Sequence, residues 1–196
     1  MNRDLKVLFT SAGRRVELIS FFKSKGFIIF VADSDPTVPS LYIVKKVFIV
    51  PRVVDEPDEY INALLNICKE EHINILVSLI DPELPILARE KERFSEIGTV
   101  VLLSSYSSVR TAAVKYATYK FYKEAGLSTP ETLLLKDRKL MENQIPSNIF
   151  PAILKPRFGS AGRGIIKCLD LDWLEFLYSK WDLTDNYAEV CSWGRD

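Results

Sequence analysis

The sequence predicts an α/β protein: a doubly wound parallel sheet followed by a smaller α+β module. Three observations predict it. Apolar runs of strand length alternate with helically spaced apolar residues from Leu5 to Leu103. Beyond residue 112 the apolar runs become shorter and the alternation is lost. Two of those later runs flank a stretch dense in glycine, Gly159 to Gly164.

The elements follow in order. Leu5 to Thr10 is a buried strand, and Val16, Leu18, Ile19, Phe21 and Phe22 give the next segment, Gly13 to Lys25, a helical stripe that Gly26 stops. Phe27 to Ala32 is a second strand and Lys46 to Val50, halted by Pro51, a third, with an irregular connection between them. Asp58 to Glu71 presents Tyr60, Ile61, Leu64, Leu65 and Cys68 on one helical face; Ile73 to Leu79 is the fourth strand. A helix over Glu83 to Ser95 and a β-branched run from Thr99 to Leu103 complete the sheet. Ser104 to Arg110 is polar and small, and a helix is expected from Thr111 to Ala125, ended by Gly126. Short strands at 133–135, 152–155, 164–168 and 187–190, with a helix near Asp170 to Trp181, make up the second module. The expected domains are therefore 1–111 and 112–196, the second incomplete because the chain stops just after a strand.

Composition limits the function classes. Over 196 residues, 26 Lys plus Arg balance 26 Asp plus Glu, so no global basic field draws the protein to nucleic acid or to an anionic membrane. No apolar run approaches the roughly 20 residues of a membrane span, and no secretory signal precedes the first strand. A cytoplasmic protein is expected. Cys68, Cys168 and Cys191 form no Cys-x-x-Cys and are expected as reduced packing thiols. With one histidine, His72, neither a histidine-rich zinc site nor a Ser-His-Asp triad has support.

The chemistry concentrates in Ile153-Leu154-Lys155-Pro156-Arg157-Phe158-Gly159-Ser160-Ala161-Gly162-Arg163-Gly164-Ile165. Small residues at 159–164 let consecutive N–H groups point into one concavity, as a loop over a polyphosphate requires, and Lys155 brings an ammonium to the end of the preceding strand. Neither Gly-Lys-Ser/Thr nor Gly-x-Gly-x-x-Gly is present, so this is not a Walker A loop or a dinucleotide fingerprint. Read without any relative, the stretch is also compatible with a hairpin whose turn is rich in glycine.

This stretch resembles the glycine-rich loop of the ATP-grasp ligases, in the branch similar to the carbamoyl-phosphate synthase large subunit. Two further segments agree. Val114-Lys115-Tyr116-Ala117-Thr118-Tyr119-Lys120-Phe121, leading to Gly126-Leu127-Ser128-Thr129-Pro130, is similar to the family's Asp-Lys helix and Gly-hydrophobe-x-x-Pro turn, although Val114 replaces the acidic residue. Tyr187-Ala188-Glu189-Val190-Cys191-Ser192-Trp193-Gly194-Arg195-Asp196 resembles its hinge strand. The resemblance implies a Rossmann-like domain followed by part of an ATP-grasp module. It implies ATP phosphates at Lys115 and Lys155, a covering loop of Arg157, Gly159, Ser160, Ala161, Gly162 and Gly164, and a nucleoside at Glu189, Cys191 and Asp196. It further implies Mg2+, held by residues of a second half, with small carboxylate and amine substrates joined through an acylphosphate. A second chain supplying that half is an expected partner.

The alternative function is a noncatalytic truncated or split-gene module that binds nucleotide weakly. A third reading, a dinucleotide-binding oxidoreductase, lacks its glycine fingerprint. In the first domain Arg14, Arg15, Asp33, Asp81 and Glu83 lie at expected carboxyl ends of strands, where open sheets hold ligands; as turn and cap residues they need no ligand.

Overall fold

The computed structural model describes residues 5–135, 145, 147–156, 158, 162, 164–180 and 187–192. The chain divides into two compact units, Met1–Val109 and Arg110–Asp196.

In the first unit β1 (Lys6–Thr10), α1 (Val16–Ser24), β2 (Ile28–Asp33), β3 (Lys46–Ile49), α2 (Pro57–Glu71), β4 (Ile75–Ser78), α3 (Leu84–Arg89), α4 (Lys91–Glu96) and β5 (Val100–Val101) follow in order. Every strand pair is parallel and the sheet order is β3-β2-β1-β4-β5. Successive side chains point to opposite faces, so the continuous apolar strands need cover on both. Leu8, Phe30, Ala32 and Leu76 pack with Tyr60, Leu64 and Cys68 of α2 and with Leu87 and Phe94. Val7, Phe9, Ile29 and Val31 pack with Ile19 of α1 and Leu41. The unit is doubly wound, and its winding reverses at β1, which lies between β2 and β4.

The second unit carries α6 (Lys115–Glu124), β6 (Thr132–Leu134), β7 (Ala152–Pro156), β8 (Ile166–Cys168), α7 (Leu171–Lys180) and β9 (Tyr187–Ser192); α5 (Tyr106–Ala113) precedes it in sequence. Its sheet is antiparallel, in the order β6-β9-β7-β8. Leu174 and Leu177 of α7 cover Ala152, Leu154 and Cys168. The Asp170 carboxylate caps α7 by accepting the Trp173 N–H at 2.8 Å.

The structure departs from expectation in four places. The connection before β3 contains a 3-10 turn, Pro39–Ile43. On α2 four of the five expected residues, Tyr60, Ile61, Leu64 and Cys68, are buried, while Leu65 is only half-buried and Ile67 joins the core instead. The helix expected over 83–95 is interrupted at Glu90, within five consecutive charged residues, Arg89 to Arg93, that have no apolar group to hold them to the core. The helix expected from Thr111 to Ala125 is two helices meeting at extended Val114 (φ −114°, ψ 109°), and the first starts earlier because Ser105 Oγ accepts the Ser108 N–H at 3.2 Å.

Among the described residues no helix is long and apolar enough to cross a membrane. Burial pushes the Cys68 thiol up to about 12 and the Cys168 thiol up to about 11, so both are packing groups and poor nucleophiles.

Candidate nucleotide site

Lys115 is the first residue of α6, and the spacing i, i+3, i+4, i+7 places Thr118, Tyr119 and Tyr122 on the same stripe. All four face one cavity of about 320 Å³. Its other lining residues are Ala112, Thr129, Pro130, Thr132 and Lys155. The two lysines singled out in the sequence therefore meet at one cavity, Lys115 from α6 and Lys155 from β7. Small-molecule clefts run from roughly 300 to 1,000 Å³, so the volume lies at the lower end of that range. Two ammonium groups converging on a concavity favour an anion there.

Lys155 is placed by its strand. Leu154 is fully buried in the core beneath α7, and alternation turns the two neighbouring positions to the opposite face. β9 runs antiparallel between β6 and β7, with Glu189 in register with Lys155 and Leu134, and Cys191 in register with Ile153 and Thr132. The expected hinge strand is thus hydrogen-bonded to the strand that carries Lys155. A register shift between Lys155 and Pro156 ends the regular pairing where the glycine-rich stretch begins. In that stretch Gly162 and Gly164 both have φ +72°, a conformation open to glycine and strained for other residues. Arg157, Gly159, Ser160, Ala161 and Asp196 lie outside the described residues.

Sequence reasoning missed Tyr119, Tyr122, Thr118 and Glu131. The stripe from Lys115 to Tyr122 was legible as helical spacing once the helix start was fixed at Lys115. Glu131 carried no such signal: its carboxylate accepts the Tyr119 hydroxyl at 2.6 Å and pairs with Lys123 at 2.9 Å, a contact between segments that no local pattern announces. The Tyr119 hydroxyl, and after it Lys123, hold the Glu131 carboxyl below the usual range.

The first unit holds a second polar constellation, at the carboxyl ends of β1 and β4. Glu83 is fully buried and its carboxylate accepts hydroxyls from Thr10 (2.6 Å), Ser78 (2.6 Å) and Ser11. It makes no side-chain cap on α3, and Asp81, two residues earlier, is exposed. Asp33 accepts the N–H groups of Gly13 (3.0 Å) and Asp35 (3.1 Å), which makes it a turn-holding residue. Arg14 and Arg15 are exposed on the turn into α1. The Tyr60 hydroxyl lies beside Glu83 and Thr10 without completing a hydrogen bond; burial first, and then the Glu83 charge, push its ionisation well above the usual tyrosine range.

Residues 7–102 match the family model described as PylC-like, N-terminal domain. This segment is a PylC-like N-terminal domain. The chain carrying the PylC-like domain is a homologue of carbamoyl-phosphate synthase from Methanobrevibacter smithii, 28% identical over 182 residues that cover 91% of this chain and 47% of that protein. In fold it is similar to N5-carboxyaminoimidazole synthetase from Staphylococcus aureus complexed with ADP, with a TM-score of 0.74 at 16% identity over 98% of this chain and 48% of the other. It is also similar to the biotin carboxylase domain of the Hydrogenobacter thermophilus 2-oxoglutarate carboxylase, complexed with MgADP, ADP and bicarbonate. There the TM-score is 0.65 at 17% identity over 98% of this chain and 45% of that chain. Beyond residue 102 the likeness in fold to these structures continues through the second unit. The chain spans about half the length of each of these proteins.

Proposed function

We propose that the chain is the ATP-binding portion of an ATP-grasp carboxylate–amine ligase, with the PylC-like domain as its pre-ATP-grasp domain and the second unit as the first part of the ATP-grasp module. One observation carries the reading: Lys115 and Lys155, far apart in sequence, line the same cavity. That donor set fits the phosphates of ATP. Each ammonium is a compact charge with three donors, suited to phosphate oxygens that shift as charge moves between them. Lys115 and Lys155 would hold the phosphates, the 157–164 loop would cover them and exclude water, and β9 with Asp196 would seat the nucleoside.

In the proposed reaction class a substrate carboxylate oxygen attacks the γ-phosphorus and ADP leaves. An amine then attacks the acylphosphate carbonyl and expels inorganic phosphate. Magnesium offsets the concentrated charge of such a transfer, and its protein ligands belong, on this reading, to a second half or a second chain. A noncatalytic module that binds nucleotide without turnover is the second reading.

Isothermal titration with ATP, ADP and AMP tests the site. Affinity is expected to fall by about tenfold as the β- and γ-phosphates are removed, the order of one charge-assisted hydrogen bond. Equal affinity for the three nucleotides contradicts a phosphate site at the lysines. Phosphate release in the same samples with Mg2+ separates the readings, since the noncatalytic module binds without turnover.

A further inference from the structure

Helices in small domains are normally fixed by burying an apolar face. α6 buries none of its residues, although it carries Lys115 and the cavity wall made by Thr118, Tyr119 and Tyr122. The facing wall, Thr129, Pro130, Thr132 and Lys155, belongs to the segment entering β6 and to β7. Glu131 stands in that segment, and both its carboxylate oxygens reach α6: Oε1 accepts the Tyr119 hydroxyl at 2.6 Å and Oε2 pairs with the Lys123 ammonium at 2.9 Å. The Lys123 ammonium also lies 5.8 Å from the Tyr119 ring centre, whose other neighbour is Tyr116 at 5.6 Å. Glu131 thus joins the two walls at the C-terminal half of α6, while Thr132 beside it is buried and anchored in β6.

We propose that Glu131 is a positioning residue for the nucleotide site, its carboxylate fixing the α6 wall, and with it Lys115, against the wall that carries Lys155. The proposal rests on the reading of the cavity as a phosphate site. An exposed ion pair alone fixes little. The tyrosine hydroxyl on a charged acceptor is the stronger contact, and both share one carboxylate, so removing that charge breaks the ion pair and weakens the hydroxyl contact together.

The test compares the full chain with Glu131→Gln and Glu131→Asp, each with and without Lys115→Ala, by ATP titration and by hydrogen exchange of residues 115–124. Glu131→Gln is expected to weaken ATP about fivefold when Lys115 is present and to have no effect in the Lys115→Ala chain. Glu131→Asp recovers part of the loss. Exchange across α6 rises in Glu131→Gln while that of α2 is unchanged. Wild-type affinity and unaltered α6 exchange in Glu131→Gln overturn the proposal, as does an equal loss with and without Lys115. Failure of the wild type to bind ATP removes the nucleotide reading and this role with it; ATP binding indifferent to Glu131 removes the role alone.

Discussion

Glu83 and Tyr60 are neighbours in the same buried constellation with opposite consequences for stability. Glu83 is fully buried and takes three hydroxyl donors, so its removal leaves the fully buried Thr10 and the half-buried Ser11 without this acceptor, while Ser78 keeps only the longer contact to the Ile80 carbonyl. Glu83→Ala is expected to lower unfolding free energy by about 3 kcal/mol. Among the described residues the Tyr60 hydroxyl is buried beside Glu83 and Thr10 without a hydrogen bond of normal length, so Tyr60→Phe removes a poorly paired polar group and keeps the ring that fills the core. That variant is expected to be as stable as wild type or more so by up to about 1 kcal/mol. Urea denaturation of both checks the contrast. A large loss in Tyr60→Phe, or none in Glu83→Ala, contradicts the assignment of hydrogen bonds. Neither role was legible in the sequence: Glu83 stood out only as an acidic residue after a strand, and its donors come from the ends of two strands far apart in sequence, Thr10 and Ser11 at β1 and Ser78 at β4.

At the scale of elements, the sheet strands and α2 were legible because apolar periodicity directly encodes which face is buried. The breaks at Glu90 and Val114 were not, because each depends on what lies beneath a helix as well as on its own propensity. At the first break the Glu90 carboxylate binds Arg89 Nε at 2.8 Å and Arg93 Nη1 at 3.1 Å, across the junction of α3 and α4. The Arg89 hydrogen bond, then that of Arg93, hold this carboxyl below the ordinary glutamate value of 4.5. A lowered folded value means that the contribution is fully present above the unfolded pKa and is lost as pH falls through the folded one. The partners are exposed, so the contribution is less than about 1 kcal/mol. Glu90→Gln is expected to match wild-type stability in acid and fall slightly below it near neutrality, read by thermal melts over a pH series spanning both conditions. A variant that differs most from wild type in acid would show that the pair does not act through the ionised carboxylate. The candidate site divides in the same way. Lys115 and Lys155 were legible as motif residues, whereas their common cavity depends on α6 packing beside β6 and β7, which only the fold supplies.

At the scale of the whole molecule, two units with separate cores divide the features between them. The first, a parallel doubly wound sheet, matches a PylC-like N-terminal domain, and the second brings the expected phosphate lysines together. The two units divide between Val109 and Arg110; the joining of Lys115 to Lys155 was not legible in the sequence, because it spans elements separated by a turn and a strand of the fold. Central to the proposed function is that these two lysines act on one polyphosphate. The most direct test is ATP titration of the 196-residue chain beside Lys115→Ala, Lys155→Ala and the double variant, with circular dichroism to establish that each is folded. Each single change is expected to weaken ATP by about tenfold, the order of one charge-assisted hydrogen bond, and the double change to reduce binding further. Folded variants that bind ATP as tightly as the wild type would contradict it.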